Sequence, residues 1–312
     1  MLGIMGNSPN RAHYPLSIKL CLLKKGNRMY GQMNTSMEAT ADVLGKYKLM
    51  LGMKSLDYEI KELTDYSKSC CDCYVLLKDR IDRLSSFMMD EENESAWRIY
   101  GDCEDVKTYA EKLRESSVQA LCDMEKYHSS CICDKKQNIQ GYLSTLSDAV
   151  RGELVRYGIT GNSKVLFIGA GAFPLSSLTI AKDTGAAVLG LDIDAEAVQL
   201  ARRVAGASGL NDKVGFTEKR VHELSFAQDA THVIIASLVK SKLALLDELR
   251  AVIQPEAKVI LRYGNGLKSI FNYPLETHLE DDWITSKLPS HGTLYDSIIL
   301  KKQPSQARVK SS

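Results

Sequence analysis

After Gly158 the sequence alternates short apolar runs with segments of helical periodicity. The apolar runs predict five strands, at Lys164–Ile168, Ala187–Asp192, Val214–Phe216, His232–Ala236 and Lys258–Arg262. The segments between them, including 195–208 and about 242–252, predict helices. Such alternation is typical of a parallel sheet with right-handed crossovers, so this part of the chain is predicted to be α/β and Rossmann-like. A terminal strand is predicted at Ser297–Leu300.

The chain ahead of that alternation predicts helices and no strands. Apolar residues recur every three or four positions from residue 36 to about 158, as at Leu49, Met53 and Leu56, and no proline occurs between positions 15 and 174. The polar segment Met89–Ser95 predicts a loop between two helices. The sequence therefore predicts three segments: a poorly ordered N-terminal segment (1–35), an all-helical domain (36–155) and a Rossmann-like domain (156–312).

Charge and composition argue against several classes of protein. The 40 Lys and Arg residues nearly balance 39 Asp and Glu, a net charge of +1, which gives no basic surface for nucleic acid. No run of 18 apolar residues predicts a membrane span. The apolar stretch Pro15–Leu23 is interrupted by Lys19 and lacks a cleavage site, so a cytoplasmic location is expected. Eight cysteines in such a chain predict reduced thiols packed as small apolar residues, with no metal site.

A nucleoside site is predicted at the first strand-to-helix turn. Gly169 and Gly171 follow a buried strand and let the backbone approach a ligand, and Asp192 lies 23 residues after Gly169, where a carboxylate can accept the ribose hydroxyls. Pro174 occupies the third-glycine position of a dinucleotide site, which argues against NAD. Asp194 could bind the ligand or cap the next helix. Ala170, Phe173, Ile193 and Ala236 complete the predicted nucleoside-binding set.

Two patches resemble the nicotianamine synthase family. The run 169–177, Gly-Ala-Gly-Ala-Phe-Pro-Leu-Ser-Ser, is similar to the family's Gly-x-Gly-Pro-Leu-Pro-Leu-Thr-Ser, with Ala172 and Phe173 as departures, and 262–274 is similar to its Arg…Gly…Tyr-Pro segment. The resemblance covers about 105–300. It implies a helical domain followed by a domain like those of S-adenosylmethionine (SAM)-dependent methyltransferases. Within the family, the chain is most similar to the bacterial enzymes of opine metallophore synthesis, of the staphylopine type.

The resemblance also implies an activity and roles for residues. Those bacterial enzymes move a 2-aminobutanoate unit of SAM to the α-amine of histidine and release methylthioadenosine. Glu125 would be the general base and Tyr142 would orient the amine. Because the spacing between them is only 17 residues, Glu115 is an alternative base. Arg262, Lys268 and Tyr273 are predicted to bind the substrate.

Other interpretations remain open at this point. A nicotianamine-type synthase would condense SAM units with one another, a small-molecule methyltransferase would release S-adenosylhomocysteine, and a regulator would bind SAM without consuming it. SAM is expected as a co-substrate, with no permanently bound cofactor. The product is expected to pass to an opine dehydrogenase, and the chain is expected to form a homodimer. The sequence does not distinguish D- from L-histidine.

Overall fold

The computed structural model describes residues 30–134, 148–275, 279, 282–288 and 293–303, and side chains are described from residue 43, apart from 148 and 149. Packing divides the chain into two units, Met1–Leu44 and Gly45–Ser312. In the first unit the described residues begin a helix. The predicted domain boundary at residue 155 stays a prediction, and most of the predicted N-terminal segment lies outside the described residues.

Helices with one apolar face form the part of the chain ahead of the sheet. The first four are α1 (Tyr30–Ser67), α2 (Cys73–Met88), α3 (Glu91–Tyr100) and α4 (Glu104–Cys133). Apolar side chains at helical spacing meet in one core, where Leu49, Met53, Ile60, Leu77, Leu84 and Leu113 are fully buried. Leu267, Ile270 and Phe271, which follow the fifth strand, join this core. The helical region therefore packs against the sheet region.

The remaining elements alternate as predicted. The strands are β1 (Lys164–Ile168), β2 (Ala187–Leu191), β3 (Val214–Thr217), β4 (His232–Ile235), β5 (Lys258–Tyr263), β6 (Trp283–Lys287) and β7 (Asp296–Lys302). The helices are α5 (Asp148–Tyr157), α6 (Leu175–Thr184), α7 (Ala195–Ser208), α8 (Ser225–Asp229) and α9 (Lys242–Val252), with short 3₁₀ helices at Val221–Glu223 and Gly266–Ile270. The sheet order is β3-β2-β1-β4-β5-β7-β6. The first five strands are parallel, whereas β7 is antiparallel to β5 and to β6.

Both faces of the sheet are covered, which explains why its strands read as continuous apolar runs. In β1, Val165 and Phe167 face a core shared with α5, α6 and α7. Leu166 and Ile168 face the opposite core, shared with α9. This alternation is the two-residue period of a strand. The predicted fold, a helical region followed by a Rossmann-like sheet, is confirmed.

Two elements differ from the prediction. The segment Met89–Ser95 is not a loop throughout, because α3 begins at Glu91. Asp90 caps this helix by accepting the N–H of Asn93 at 2.9 Å, and acidic residues in its first turn suit the helix dipole. The sequence analysis also missed β6, an edge strand in which only Trp283 is buried. None of the helices in the described residues has the length and apolar character needed to cross a bilayer.

Candidate functional site

Two glycines with left-handed backbone conformations shape the turn after β1. Gly169 has a φ of 80° and Gly171 a φ of 71°, values that side chains with a Cβ rarely allow. Space is limited as well. A Cβ on Gly169 would lie 2.7 Å from Val239 Cγ2, and a Cβ on Gly171 would lie 2.3 Å from Glu125 Oε2. The turn therefore brings bare backbone to the site.

Asp192, which follows β2, is tied to this turn by hydrogen bonds. Its Oδ2 accepts the N–H of Gly171 at 2.8 Å, and its Oδ1 accepts the N–H of Asp194 at 3.1 Å. The side chain stays partly exposed. A carboxylate fixed at the end of this strand still has lone pairs for the two hydroxyls of a ribose.

Asp194 caps the N-terminus of helix α7. Its Oδ1 accepts the N–H of Glu196 at 2.9 Å and that of Ala197 at 3.3 Å, at the start of α7. Its Oδ2 also pairs with Lys126 of α4 at 2.7 Å, which holds the pKa of Asp194 below its usual range. These contacts favour the capping role over ribose binding.

The other predicted nucleoside-binding residues lie around the same turn. Ile193 is 95% exposed, so its side chain offers an apolar surface on which a base can pack. Ala170 and Phe173 are buried in the turn. Pro174 directly precedes α6, and Ala236 directly follows β4. Their contacts with a nucleoside stay predictions.

Helix α4 crosses the carboxyl ends of the parallel strands. Near its start, Arg114 Nη1 donates to Ser269 O at 2.8 Å, in the segment after β5. Near its end, Ser129 Oγ donates to Ala172 O at 2.8 Å, in the turn after β1, and Lys126 pairs with the acids that begin α7 after β2. Since ligands of open α/β sheets bind at this edge, α4 forms one wall of the expected site.

Glu125 projects from α4 into the glycine turn. Its carboxyl accepts backbone hydrogen bonds from Phe173 and Ala172 and lies beside Gly171. Burial, together with the neighbouring Asp192, raises the pKa of Glu125 to about 8, and the two backbone hydrogen bonds limit the rise. A carboxyl with this pKa exchanges its proton near neutral pH, as a general base must.

The alternative base, Glu115, lies further toward the start of α4. The Tyr273 hydroxyl donates to both of its carboxylate oxygens at 3.0 Å, and Lys240 Nζ lies 3.2 Å from it. Burial, together with Glu115, raises the pKa of Tyr273 to about 12. Glu115 is therefore held as a hydrogen-bonded carboxylate, and Tyr273 contacts it at the edge of a cavity.

Two predicted substrate-binding residues are engaged by the chain itself. Arg262 is 5% exposed, its Nη2 lies 2.5 Å from Glu153 Oε2, and its guanidinium lies between the rings of Phe167 and Tyr295. Lys268 Nζ lies 2.6 Å from Asp296 Oδ1. A bound carboxylate would compete with these internal acids, so the geometry does not favour the predicted role of either cation.

Some predicted features lie outside the site or outside the described residues. Tyr142 falls in 135–147, which the structure does not describe.

The seven described cysteines are free, and Cys131 is buried as a small apolar residue would be. Cys70, Cys71 and Cys122 are exposed, so the packing interpretation does not hold for them. Within the described part of the chain, no cluster of His, Cys, Asp or Glu is suited to hold a metal ion.

The sequence analysis missed the residues that join α4 to the sheet. Lys126 and Ser129 follow Glu125 on α4 and contact two successive loops, and the spacing of Glu125 and Ser129 puts both on one helical face. Lys240 lies in the loop between β4 and α9, and Lys242 is the first residue of α9, a region where ligand-binding residues of such sheets are found. Their position in the chain after β4 was the one signal in the sequence that could have identified these two lysines.

Sequence comparison finds a family and close relatives. The family model described as "Nicotianamine synthase protein" matches residues 142–307. An L-histidine 2-aminobutanoyltransferase of Pseudomonas aeruginosa is 38% identical over 258 residues, which cover 83% of this chain and 98% of that protein. A protein of the same name from Yersinia pestis is 35% identical over 261 residues, covering 83% and 97%.

Solved structures of MtNAS share the fold. A glutamate-to-glutamine mutant in complex with S-adenosylmethionine has a TM-score of 0.65 at 15% identity and covers 80% of this chain and 98% of its own. A complex with MTA and tNA has a TM-score of 0.64 at 18% identity, covering 78% and 97%. At this level of identity the likeness concerns the fold alone.

Proposed function

Because this chain belongs to the nicotianamine synthase family, we propose that it moves the 3-amino-3-carboxypropyl (2-aminobutanoate) group of SAM to the α-amine of L-histidine. Methylthioadenosine is the second product. The proposal takes its substrate from the names of the curated relatives, which cover most of the chain at 35–38% identity. It takes its chemistry from the site.

The observation that carries the proposal is the position of Glu125. A carboxyl with a pKa of about 8 lies against the glycine turn, next to the predicted ribose ligand Asp192. A methyl transfer between small molecules does not always need a base, whereas an α-amine must lose a proton before its nitrogen can attack. The α-amine of a peptide terminus has a pKa of about 7.7–8.0, and that of a free amino acid is more basic, so the acceptor arrives protonated and a carboxyl with a raised pKa is suited to take its proton.

The reaction balances with this chain's residues in simple roles. The amine gives one proton to the Glu125 carboxylate, and the nitrogen lone pair then attacks the γ-carbon of the donor's amino-acid arm. The bond between that carbon and the sulfonium breaks, and its electron pair stays on sulfur as the thioether of methylthioadenosine. Because the sulfonium is already a good leaving group, the protein mainly positions the reactants. Helix α4 also covers the site and limits the access of water.

One assay tests the proposed function directly. The protein is incubated with SAM and either L-histidine, D-histidine or no amino acid, and the products are identified by mass spectrometry. We expect methylthioadenosine and histidine enlarged by one aminobutanoate unit in the L-histidine sample. S-adenosylhomocysteine would identify a methyltransferase, a SAM condensation product without histidine would identify a nicotianamine-type synthase, and intact SAM in every sample would identify a binding protein.

The pH dependence of the reaction should report Glu125. Only its carboxylate can accept a proton, so kcat/KM should rise with pH up to about 8 and level off above it. The bound sulfonium is a nearby positive charge that favours the carboxylate, so the midpoint in kcat should lie lower than that in kcat/KM. Stopped assays over a pH series measure both. The α-amine of the histidine substrate also titrates at neutral to alkaline pH, so the pH profile of Glu125→Gln is the control. A variant with an unaltered profile would assign the whole transition to the substrate.

The proposal extends to the surroundings of the reaction. We place the reaction in the cytoplasm and expect the chain to act as a homodimer. We also expect an opine dehydrogenase to consume the product, which retains a primary amine. Size-exclusion chromatography with light scattering tests the assembly, and a coupled assay with the dehydrogenase tests the transfer.

A further inference from the structure

A cavity of about 990 Å³ lies between α4 and the loops that follow β4 and β5. Its lining includes the cations Lys61, Lys112, Arg114, Lys240 and Lys242 and the acids Glu111 and Glu115. The positive charges outnumber the negative ones, so the cavity attracts an anion. The roles of its residues differ according to whether an internal acid already neutralises each cation.

Two of these cations have a carboxylate partner within the chain. Lys61 Nζ lies 2.7 Å from Asp57 Oδ2, and Lys240 Nζ lies 3.2 Å from Glu115 Oε1. Lys240 is 69% exposed at the side chain, so this pair is at the mouth of the cavity. Neither lysine needs a ligand to balance its charge.

Arg114 and Lys242 are different, because they are buried and lack such a partner. They are 9% and 3% exposed. Lys242 Nζ donates to the carbonyls of Ser237 at 2.8 Å and Val239 at 2.5 Å, and Arg114 Nη1 donates to Ser269 O. Arg114 Nε has no hydrogen-bond partner, and among the described residues neither cation has a carboxylate at ion-pair distance. Two buried charges without a counter-ion are costly, and an anionic ligand would remove that cost.

The position of the cavity relates it to the reaction. Arg114 and Glu125 are eleven residues apart on α4, about three turns, so their side chains leave the same face of the helix. Their Cα atoms are about 16 Å apart along the axis, so both side chains must extend toward a ligand held between them. An amino acid bound between them can place its carboxylate at one end and its amine at the other.

We infer that this cavity binds the α-carboxylate of the acceptor amino acid, with Arg114 and Lys242 as its ligands. The inference rests on the proposed function and assigns a site for the acceptor that Arg262 and Lys268 do not provide, since internal acids hold both. Arg114 can offer a planar pair of N–H groups, and Lys242 offers a point charge at the start of α9, where the helix dipole also favours an anion.

The lysine supports this assignment in a second way. Burial, together with Arg114 nearby, lowers the pKa of Lys242 to about 7. A carboxylate bound beside it would raise that pKa again and keep the ammonium charged. Acceptor binding and protonation of Lys242 are therefore coupled.

Calorimetry on the full chain with methylthioadenosine present tests the inference without any turnover. The ligands are L-histidine and histamine, which lacks only the carboxylate. We expect Lys242→Met to weaken L-histidine binding by roughly 10- to 100-fold, the effect of losing one charged hydrogen bond, and to leave histamine binding unchanged. Arg114→Gln should do the same and serves if Lys242→Met does not fold. Lys61→Met, which removes a cation that Asp57 already neutralises, is the matched control and should bind both ligands normally.

Each other outcome overturns the inference. Unchanged histidine binding in both variants would remove the two cations from the site, and equal losses for both ligands would indicate a packing role. A raised KM for SAM with an unaltered KM for histidine would assign the cavity to the donor's carboxylate. A wild-type protein that releases no methylthioadenosine contradicts the proposed function. The calorimetric comparison needs no turnover, so it tests carboxylate binding in the cavity separately.

Discussion

Glu125→Gln is expected to lower kcat for methylthioadenosine release by roughly 10²–10⁴-fold while SAM still binds. Glutamine has nearly the same shape and retains one oxygen that can accept the N–H of Ala172 or Phe173, so the turn should keep its conformation. What it loses is the capacity to accept a proton. Steady-state rates give kcat, and calorimetry with SAM gives the affinity.

Glu115→Gln is the matched comparison on the same helix. Glu115 is bound by Tyr273 and Lys240, so its replacement should alter the cavity and leave the proton transfer intact. We expect a much smaller fall in kcat than for Glu125→Gln. If the order of the two effects is reversed, Glu115 is the base. If both variants turn over normally, the proton leaves by another route.

The stability of Glu125→Gln separates lost chemistry from lost structure. Because the folded-state pKa of Glu125 is raised to about 8, the folded protein holds this proton between about pH 4.5 and 8 while the unfolded chain releases it. Wild-type stability therefore falls as the pH rises through that window, and glutamine removes the loss. We expect the variant to be more stable than wild type by on the order of 2–4 kcal/mol at about pH 9, and similar to it at about pH 4. Urea unfolding at both pH values measures this difference.

Arg262→Met is expected to lower the free energy of unfolding by about 3–5 kcal/mol. The side chains of Arg262 and Glu153 are 6% and 15% exposed, and Arg262 Nη2 lies 2.5 Å from Glu153 Oε2. Removing the arginine leaves a buried carboxylate whose remaining partner is the Tyr295 hydroxyl, at 2.8 Å. Desolvation of that unpaired charge is the source of the loss. Urea unfolding followed by circular dichroism measures it.

A double replacement makes this prediction specific. Arg262→Met combined with Glu153→Leu removes both charges, so it should recover much of the stability that the single variant loses. A role in substrate binding predicts a different pattern, in which Arg262→Met folds with wild-type stability and raises the KM for histidine. That pattern would return Arg262 to the acceptor site and count against the cavity beside α4.

The sequence was informative wherever one element determines its own structure. Strand β1 was predicted at the residues where it lies, because a strand covered on both faces is a continuous apolar run. The glycine turn and Asp192 were also placed together, because the ends of adjacent parallel strands meet at one edge. Strand β6 was missed because it is at the sheet edge, where one buried residue leaves no apolar run.

Contacts between distant parts of the chain were harder to predict from the sequence. The family resemblance suggested Glu125, but its position against Gly171 depends on how α4 crosses the sheet. Arg262 was expected to face a ligand because it ends β5, and the packing of α5 instead brings Glu153 to it. Neither pairing, Glu125 with Gly171 or Arg262 with Glu153, can be predicted from a local sequence pattern, because the partners are far apart in the chain.

The sequence by itself determined the helical region, the parallel sheet and the glycine turn after β1, since apolar periodicity and glycine geometry act over a few neighbouring residues. Only the tertiary structure decided which charged groups are neutralised by an acid within the chain. Arg262 has Glu153, whereas among the described residues Arg114 and Lys242 contact backbone carbonyls and the ring of Tyr273 and have no carboxylate at ion-pair distance. The physical reason is that the energy of a buried charge depends on which opposite charge packing brings within a few ångströms.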